Sequence, residues 1–260
     1  MNVALALLLG LVQGLCEFLP VSSSGHLVLL QTIFGLQEGT LFLDTMLHVG
    51  TLFAVFAVYW RQVWDILRHP IQKKTGMLLL ATAVTTAIAL LCKDIISEAY
   101  EGKLLGIGFL ITALVLYVGE RAARGKGDIE SMRPHHAAGI GLVQGIAILP
   151  GISRSGSTIT GARLMGLNKE AAAEFSFLLS IPAILGSLVL QLPNALHGGV
   201  GSIGWGAIAL GTAAAALSGY FAIRWMLRLL RTKSLLGFAI YVGALGLLVL
   251  SDQLIFHVFF

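Results

Sequence analysis

The chain has 260 residues, of which 57% are hydrophobic and only 12% are charged. Soluble domains carry about 25% charged residues, so this composition and a mean hydropathy of +0.87 exclude a disordered chain and argue against a water-soluble enzyme. We expect a single polytopic membrane domain over residues 1–260. The net charge is +4. The basic residues lie between apolar runs, where they indicate membrane topology, so no nucleic-acid partner is expected.

The first predicted element, residues 3–34, is an apolar region interrupted near its middle by proline, serine and glycine. This pattern predicts a helical hairpin that enters the membrane and returns, and residues 138–167 show the same pattern. Irregular backbone is tolerated at membrane depth only where protein or a water-filled cavity covers it. We therefore expect both breaks to be enclosed.

The remaining apolar stretches are predicted to cross the membrane as helices. Three follow the first hairpin and three follow the second, at residues 43–60, 76–92, 104–119, 174–192, 203–223 and 235–256. The expected fold is therefore all-α and polytopic, with six transmembrane helices and two re-entrant helical hairpins.

Positive charge is concentrated in three connectors, residues 61–75, 120–137 and 224–234. Basic connectors tend to stay on the cytoplasmic side of the membrane. With that orientation, the hairpin at 3–34 enters the membrane from the outside and the hairpin at 138–167 enters from the inside.

An internal repeat agrees with this topology. Residues 10–14 and 141–145 share the pentapeptide GLVQG, 131 residues apart, and at the same shift residues 21–25 align with 152–156 without a gap. Each half, about 1–120 and about 135–256, then holds one hairpin and three spans. An odd number of spans inverts the second copy in the membrane, and proteins built this way hold their site near the midplane, between the repeats.

Both breaks have a composition that favours anion binding. In the first break Pro20 disfavours helix just before it, and the serines that follow are good caps for a new helix. A helix that begins at membrane depth presents free N–H groups and the positive end of its dipole. The second break adds Arg154, whose guanidinium suits bidentate phosphate contact. The expected phosphate-binding residues are Ser22, Ser24, Gly25, Ser153, Ser155, Gly156 and Thr158.

The expected catalytic residues are Ser23, His26, Glu17 and Arg154. The last three are ionisable groups inside membrane segments, which are costly and usually functional. Ser23 aligns with Arg154 in the repeat, so a two-fold axis between the breaks would place them across one phosphate. Ser23 precedes His26 by three residues, so the two share a helix face as a candidate nucleophile–base pair. Glu17 is expected to orient His26, to hold a divalent cation or to act as a base.

Two further ionisable residues, Asp44 and His48, lie four residues apart at the start of a predicted span. We interpret them as a pair at the membrane interface, with the alternative that they face the site.

Residues 13–26, QGLCEFLPVSSSGH, and residues 150–158, PGISRSGST, closely resemble the undecaprenyl-diphosphate phosphatase family linked to bacitracin resistance. The resemblance covers the whole chain. It implies a multi-pass hydrolase of the bacterial cytoplasmic membrane that removes the terminal phosphate of undecaprenyl diphosphate, which regenerates the lipid carrier for peptidoglycan synthesis. The implied partners are this polyprenyl diphosphate and membrane lipids, and a homodimer stays open.

The resemblance also implies a divalent cation, Mg²⁺ or Ca²⁺. The family has an acidic residue or glutamine four positions before the glutamate of the first motif, and Gln13 stands there in this chain. Glu17 is therefore left as the single carboxylate for a metal, with Gln13 nearby. His48 stands where other members often have glutamine.

Two alternatives remain open at this point. An inverted-repeat transporter or flippase for a phosphate-headed lipid has the same architecture, although carrying an anion requires no nucleophile–base pair. In a hydrolase, Ser23 attacks the phosphorus in line, with Ser22 as the less favoured nucleophile, or water activated through His26 and Glu17 attacks directly.

Overall fold

The computed structural model describes residues 2–36, 40–100, 102–122, 125–197 and 203–260. These residues form α-helices and no β-strand, apart from one isolated bridge between Gly127 and Leu167. In chain order the helices are α1 (Val3–Phe18), α2 (Ser23–Ile33), α3 (Thr40–Val58), α4 (Trp60–Arg68), α5 (Lys73–Leu91), α6 (Lys93–Ala99), α7 (Leu105–Ala122), α8 (Pro134–Ile146), α9 (Arg154–Leu164), α10 (Lys169–His197), α11 (Trp205–Thr232) and α12 (Leu236–Ser251).

Within the described residues, six helices are long and apolar enough to cross a membrane: α3, α5, α7, α10, α11 and α12. The predicted all-α class and the number of spans are therefore confirmed. The two longest helices extend furthest past the predicted limits, since α10 begins at Lys169 and α11 continues to Thr232. At the end of a span, long basic side chains can extend to the polar surface while the backbone stays helical. The apolar pattern therefore stops before the helix ends.

Each predicted hairpin consists of two helices separated by a short non-helical segment. The first break lies between Phe18 and Ser23, and the second lies between Ile146 and Arg154. Helix α1 packs against α2, and α8 packs against α9. The second hairpin begins earlier than predicted, at Pro134, because proline suits the first turn of a helix. That the hairpins enter and leave the membrane on one side stays a prediction.

The two halves of the chain pack through equivalent helices. Helix α1 lies along α11, and its repeat equivalent α8 lies along α5. Glycines of the shared pentapeptide permit both contacts, because a Cβ on Gly10 would collide with the Gly211 backbone and a Cβ on Gly141 would collide with the Ala81 backbone. This packing supports the repeat, and its inversion across the membrane stays a prediction.

Buried aromatic side chains hold the spans around the two breaks. Phe18, Phe109, Phe175 and Phe177 are fully buried, and the Phe18 and Phe177 rings meet edge to face at 5.6 Å. Because lipid is as apolar as these side chains, their contribution inside the membrane comes from close packing and not from exclusion of water. These aromatic side chains pack closely around the two breaks.

Helix α4, in the predicted cytoplasmic connector, was not expected. Its side chains Trp60, Trp64 and Leu67 are exposed and share one helix face, and the Arg68 guanidinium lies over the Trp64 ring. A short amphipathic helix with tryptophan beside arginine is typical of the membrane interface. The span α3 ends at Val58, and the composition of α4 favours a position along the membrane surface.

Candidate active site

The two breaks end in equivalent serine caps. Ser22 Oγ accepts a hydrogen bond from the Gly25 backbone N–H at 3.3 Å, and Ser153 Oγ accepts one from the Gly156 backbone N–H at 3.1 Å. The two serines correspond under the repeat shift of 131 residues, and so do the two glycines. Helices α2 and α9 thus both begin at a break, and each directs the positive end of its dipole there.

The breaks lie directly against each other. A Cβ on Gly25 would be 2.9 Å from the Cα atom of Gly151, and a Cβ on Gly156 would be 3.1 Å from the Cβ atom of Pro20. Gly25 corresponds to Gly156 in the repeat, and Gly151 corresponds to Pro20. The same contact therefore occurs twice, as expected for an axis between the breaks, and neither glycine position leaves room for a larger residue.

Glu17, in the last turn of α1, connects the two breaks. Its side chain is only 5% exposed. Oε2 accepts hydrogen bonds from the Ser23 hydroxyl at 2.5 Å and from the Gln13 amide at 3.1 Å. Oε1 accepts one from Arg154 Nη2 at 2.6 Å. The structure thus brings three of the four predicted catalytic residues together on one carboxylate.

Two polar atoms beside Glu17 are buried without a hydrogen-bond partner in the described part of the chain. One is the donor Arg154 Nη1 and the other is the acceptor Gln13 Oε1. Buried polar atoms without partners are rare and are frequently completed by a ligand. The free donor suits an anion, and the free amide oxygen suits a hard cation.

Among the described residues, Glu17 is the carboxylate that contacts both Ser23 and Arg154. The described residues contain no group of three or more His, Cys, Asp or Glu side chains able to hold a metal. A divalent cation here would rely on oxygen atoms of Glu17 and Gln13 and on oxygens of a bound phosphate, a donor set that Mg²⁺ accepts. The residues therefore fit the predicted cation.

His26 does not form the predicted pair with Ser23. Its Nδ1 lies 2.7 Å from the Ser22 carbonyl oxygen and its Nε2 lies 2.7 Å from the Tyr241 hydroxyl. The ring stacks on Tyr241 at a centroid distance of 5.8 Å and meets the Phe109 ring edge to face at 5.4 Å. The hydroxyl of Ser23 turns instead to Glu17, because α2 presents His26 to α7 and α12.

The predicted phosphate-binding residues divide into two groups. Ser22 and Ser153 cap the helices at the break, and Ser155 donates to the Leu19 carbonyl oxygen of the other break at 3.1 Å. Ser24 lies beside Ser22, with 3.5 Å between their hydroxyl oxygens.

Thr158 does not join this group. Its hydroxyl lies 2.6 Å from the Ser176 hydroxyl on α10 and donates to the Arg154 carbonyl oxygen at 2.8 Å. Thr158 is one full turn into α9, so its side chain packs against the neighbouring span. Its hydroxyl is thus engaged by protein partners, and its binding of phosphate stays a prediction.

His48 faces the site, which is the alternative to the preferred interfacial interpretation. Its Nε2 lies 4.0 Å from Glu17 Oε2, and its Nδ1 donates to the Asp44 carbonyl oxygen at 2.7 Å. The Asp44 carboxylate turns away to the Gln31 amide, at 2.8 Å. Only His48 of the predicted pair therefore reaches the carboxylate.

Tyr241 and Tyr100 were not predicted. The Tyr241 hydroxyl hydrogen-bonds His26 Nε2, and Tyr100 lies in the connector after α6 with its side chain near Ser24. Neither tyrosine lies in a motif. Tyr241 could have been found as a polar side chain inside an apolar span, whereas no local feature of the sequence points to Tyr100.

The fold and the site together define a polytopic α-helical membrane protein whose polar centre is enclosed between two helix breaks. Within that class the chain belongs to the bacitracin resistance protein BacA family, whose model matches residues 6–248.

Curated relatives match almost the whole chain. A protein of Carboxydothermus hydrogenoformans named undecaprenyl-diphosphatase is 46% identical over 256 residues, which cover 97% of this chain and 98% of the relative. One of Halothermothrix orenii with the same name is 40% identical over 253 residues, covering 96% and 98%. Undecaprenyl-diphosphatase 4 of Bacillus cereus is 42% identical over 254 residues, covering 97% and 98%.

Proposed function

We propose that this chain is an undecaprenyl-diphosphatase, which hydrolyses undecaprenyl diphosphate to undecaprenyl phosphate and inorganic phosphate. The observation that carries the proposal is the Glu17 carboxylate, which binds the Ser23 hydroxyl and the Arg154 guanidinium where two helix N-termini meet. The relatives that match nearly the full chain bear this name.

The diphosphate binds at the junction of the breaks. Arg154 Nη1 is a buried donor without a partner in the described residues, so it is free to bind a phosphoryl oxygen while Nη2 stays on Glu17. The N-terminal N–H groups of α2 and α9 add partial positive charge. Together these groups stabilise the charge that develops on the transferring phosphoryl group.

The hydrogen bond between Ser23 and Glu17 supports Ser23 as the nucleophile and Glu17 as its base. Ser23 Oγ attacks the terminal phosphorus in line, its proton passes to Glu17, and the bond from that phosphorus to the bridging oxygen breaks. Undecaprenyl phosphate leaves with the bridging oxygen. Water then attacks the phosphoserine, which releases inorganic phosphate and returns the proton to Ser23.

Direct attack by water is the alternative route. In that case Glu17 takes a proton from water, and Ser23 serves to orient the carboxylate and the phosphate. On either route Glu17 acts as the base. This replaces the expected role of His26, whose two ring nitrogens are engaged by Ser22 and Tyr241.

A divalent cation, Mg²⁺ or Ca²⁺, is proposed to join the site with the substrate. Glu17 and Arg154 neutralise each other, so a bound diphosphate would leave excess negative charge beside the Glu17 carboxylate. Glu17 and the free Gln13 Oε1 would hold the ion. When bound, the cation would supply positive charge to the phosphate oxygens.

The substrate determines where the protein works. An undecaprenyl chain stays in the bilayer, so we place the protein in the bacterial cytoplasmic membrane, with the lipid tail among the spans and the diphosphate at the breaks. Six apolar helices agree with a multi-pass protein in that membrane. Undecaprenyl phosphate produced there returns to peptidoglycan synthesis, and its production counteracts bacitracin.

The proposal is tested with purified protein in detergent. Wild-type protein is expected to release inorganic phosphate from undecaprenyl diphosphate, whereas Arg154→Ala purified in equal yield is expected to release almost none. A transporter of phosphate-headed lipids would move the lipid in vesicles without releasing phosphate. Wild-type protein without phosphate release would therefore overturn the proposal.

A further inference from the structure

The two breaks reverse the direction of the chain with positive φ at different positions. In the second break Gly151 has φ of +85°, and the cap Ser153 is ordinary extended backbone with φ of −71°. In the first break Pro20 stands at the position of Gly151. Proline holds φ near about −65°, so it cannot supply the left-handed residue.

The left-handed conformation falls on Ser22 instead. Ser22 has φ of +70°, a region that a residue with a side chain adopts only when its surroundings hold it there. Its hydroxyl accepts from the Gly25 backbone N–H, and its carbonyl oxygen accepts from the His26 backbone N–H at 3.2 Å and from His26 Nδ1 at 2.7 Å.

His26 is itself held from the other side. Because a carbonyl oxygen only accepts, His26 Nδ1 carries the proton, and Nε2 is then the acceptor for the Tyr241 hydroxyl at 2.7 Å. The second break has no equivalent pair, since Ser157 stands at the repeat position of His26 and Leu110 at that of Tyr241. The pair therefore occurs at the break whose cap is strained and has no counterpart at the other break.

We propose that Tyr241 is a positioning residue: it holds His26, His26 holds the left-handed backbone of Ser22, and the next residue, Ser23, is thereby kept against Glu17. Tyr241 lies 215 positions from His26 and is half exposed on α12. It acts on the nucleophile through the backbone and makes no contact with the phosphate. This inference rests on the proposed phosphatase function for its kinetic part only.

The first measurement is the imidazole ¹⁵N spectrum of His26 in detergent, which needs no enzymatic activity. Wild-type protein is expected to show the Nδ1–H tautomer with a hydrogen-bonded Nε2. Tyr241→Phe is expected to move the Nε2 signal, whereas the matched control Tyr117→Phe, a tyrosine equally exposed on α7, is expected to leave it unchanged. An Nε2–H tautomer in the wild-type protein would overturn the proposal even if Tyr241→Phe fails to fold.

The second measurement is turnover of undecaprenyl diphosphate. Tyr241→Phe is expected to lower kcat about tenfold, equivalent to about 1.4 kcal/mol in the barrier, with KM nearly unchanged. In a Ser22→Gly background the same substitution is expected to lower kcat by less than about threefold, because glycine reaches positive φ without strain.

Suppression by Ser22→Gly separates positioning from a general structural role. If Tyr241→Phe lowers kcat equally in both backgrounds, or if KM rises as kcat stays constant, Tyr241 does not act through Ser22. Failure of the wild-type protein to release phosphate would instead count against the proposed function, and the ¹⁵N spectrum would still decide the positioning role.

Discussion

Removal of one charge at a time from the Glu17–Arg154 pair should harm stability more than removal of both. Arg154→Ala leaves a buried carboxylate with two neutral donors, Ser23 and Gln13, and with only the His48 imidazole, 4.0 Å away, in place of the guanidinium. Breaking a buried ion pair in this way costs about 3–5 kcal/mol. We expect the lower end, about 3 kcal/mol, because Arg154 is 17% exposed and Glu17 keeps two hydrogen bonds.

Glu17→Gln is the matching change on the other side. The amide keeps the size of the carboxylate but replaces one acceptor with a donor, which then faces the Ser23 hydroxyl or Arg154. In the double variant Glu17→Gln/Arg154→Ala no buried charge remains, so the expected loss falls to about 1 kcal/mol. Activity does not recover with stability, and each of the three variants is expected to lose about 10²–10³ in kcat.

The free energy of unfolding and the rate of phosphate release are measured for all variants in one detergent. Arg154→Lys is the control for charge alone, and it should recover stability better than activity because a point charge lacks the bidentate fork. If the double variant is as unstable as the sum of the two single losses, the two side chains are not coupled. Phosphate release near the wild-type rate in Glu17→Gln would refute its role as base.

Ser23→Ala should lose single-turnover phosphate release by about 10²–10⁴-fold while still binding the lipid diphosphate, whereas Ser22→Ala should lose mainly a helix cap worth about 1 kcal/mol. Free turnover by both variants would favour attack by water, and the reverse order would make Ser22 the nucleophile. Gln13→Ala should raise the Mg²⁺ concentration for half-maximal activity about tenfold. The control is Gln144→Ala at the repeat-equivalent position, where the amide bonds Thr85, and it should leave that concentration unchanged. Equal effects of the two substitutions would exclude Gln13 as a metal ligand. In a cysteine-free background, single cysteines replace the exposed residues Pro70, Lys233 or Asp94. Cysteines at positions 70 and 233 should be labelled from the cytoplasm, and a cysteine at position 94 from outside. Labelling of positions 70 and 233 from opposite faces would contradict the inverted topology.

Several features of this protein follow from its sequence alone because they are local or additive. The length of an apolar run determines whether a helix crosses a membrane, and six spans were expected and found. Capping depends on residues within one turn, so the serines after each break were expected to cap a new helix, and Ser22 and Ser153 are the residues that do so. The contact of Ser23 and Arg154 with a common carboxylate agrees with the alignment of the two positions in the repeat.

The tertiary structure decided which way each helix turns its polar side chains. Spacing along a helix states which residues share a face, but the rotation of α2 is set by its packing between α1, α7 and α12. That rotation places His26 in contact with Tyr241 and Ser23 in contact with Glu17, although the spacing along the helix also allowed Ser23 and His26 to contact each other. Thr158 likewise turns to Ser176 on α10. Contacts between residues 215 or 18 positions apart depend on where whole helices lie, and no pattern inside one segment contains that information.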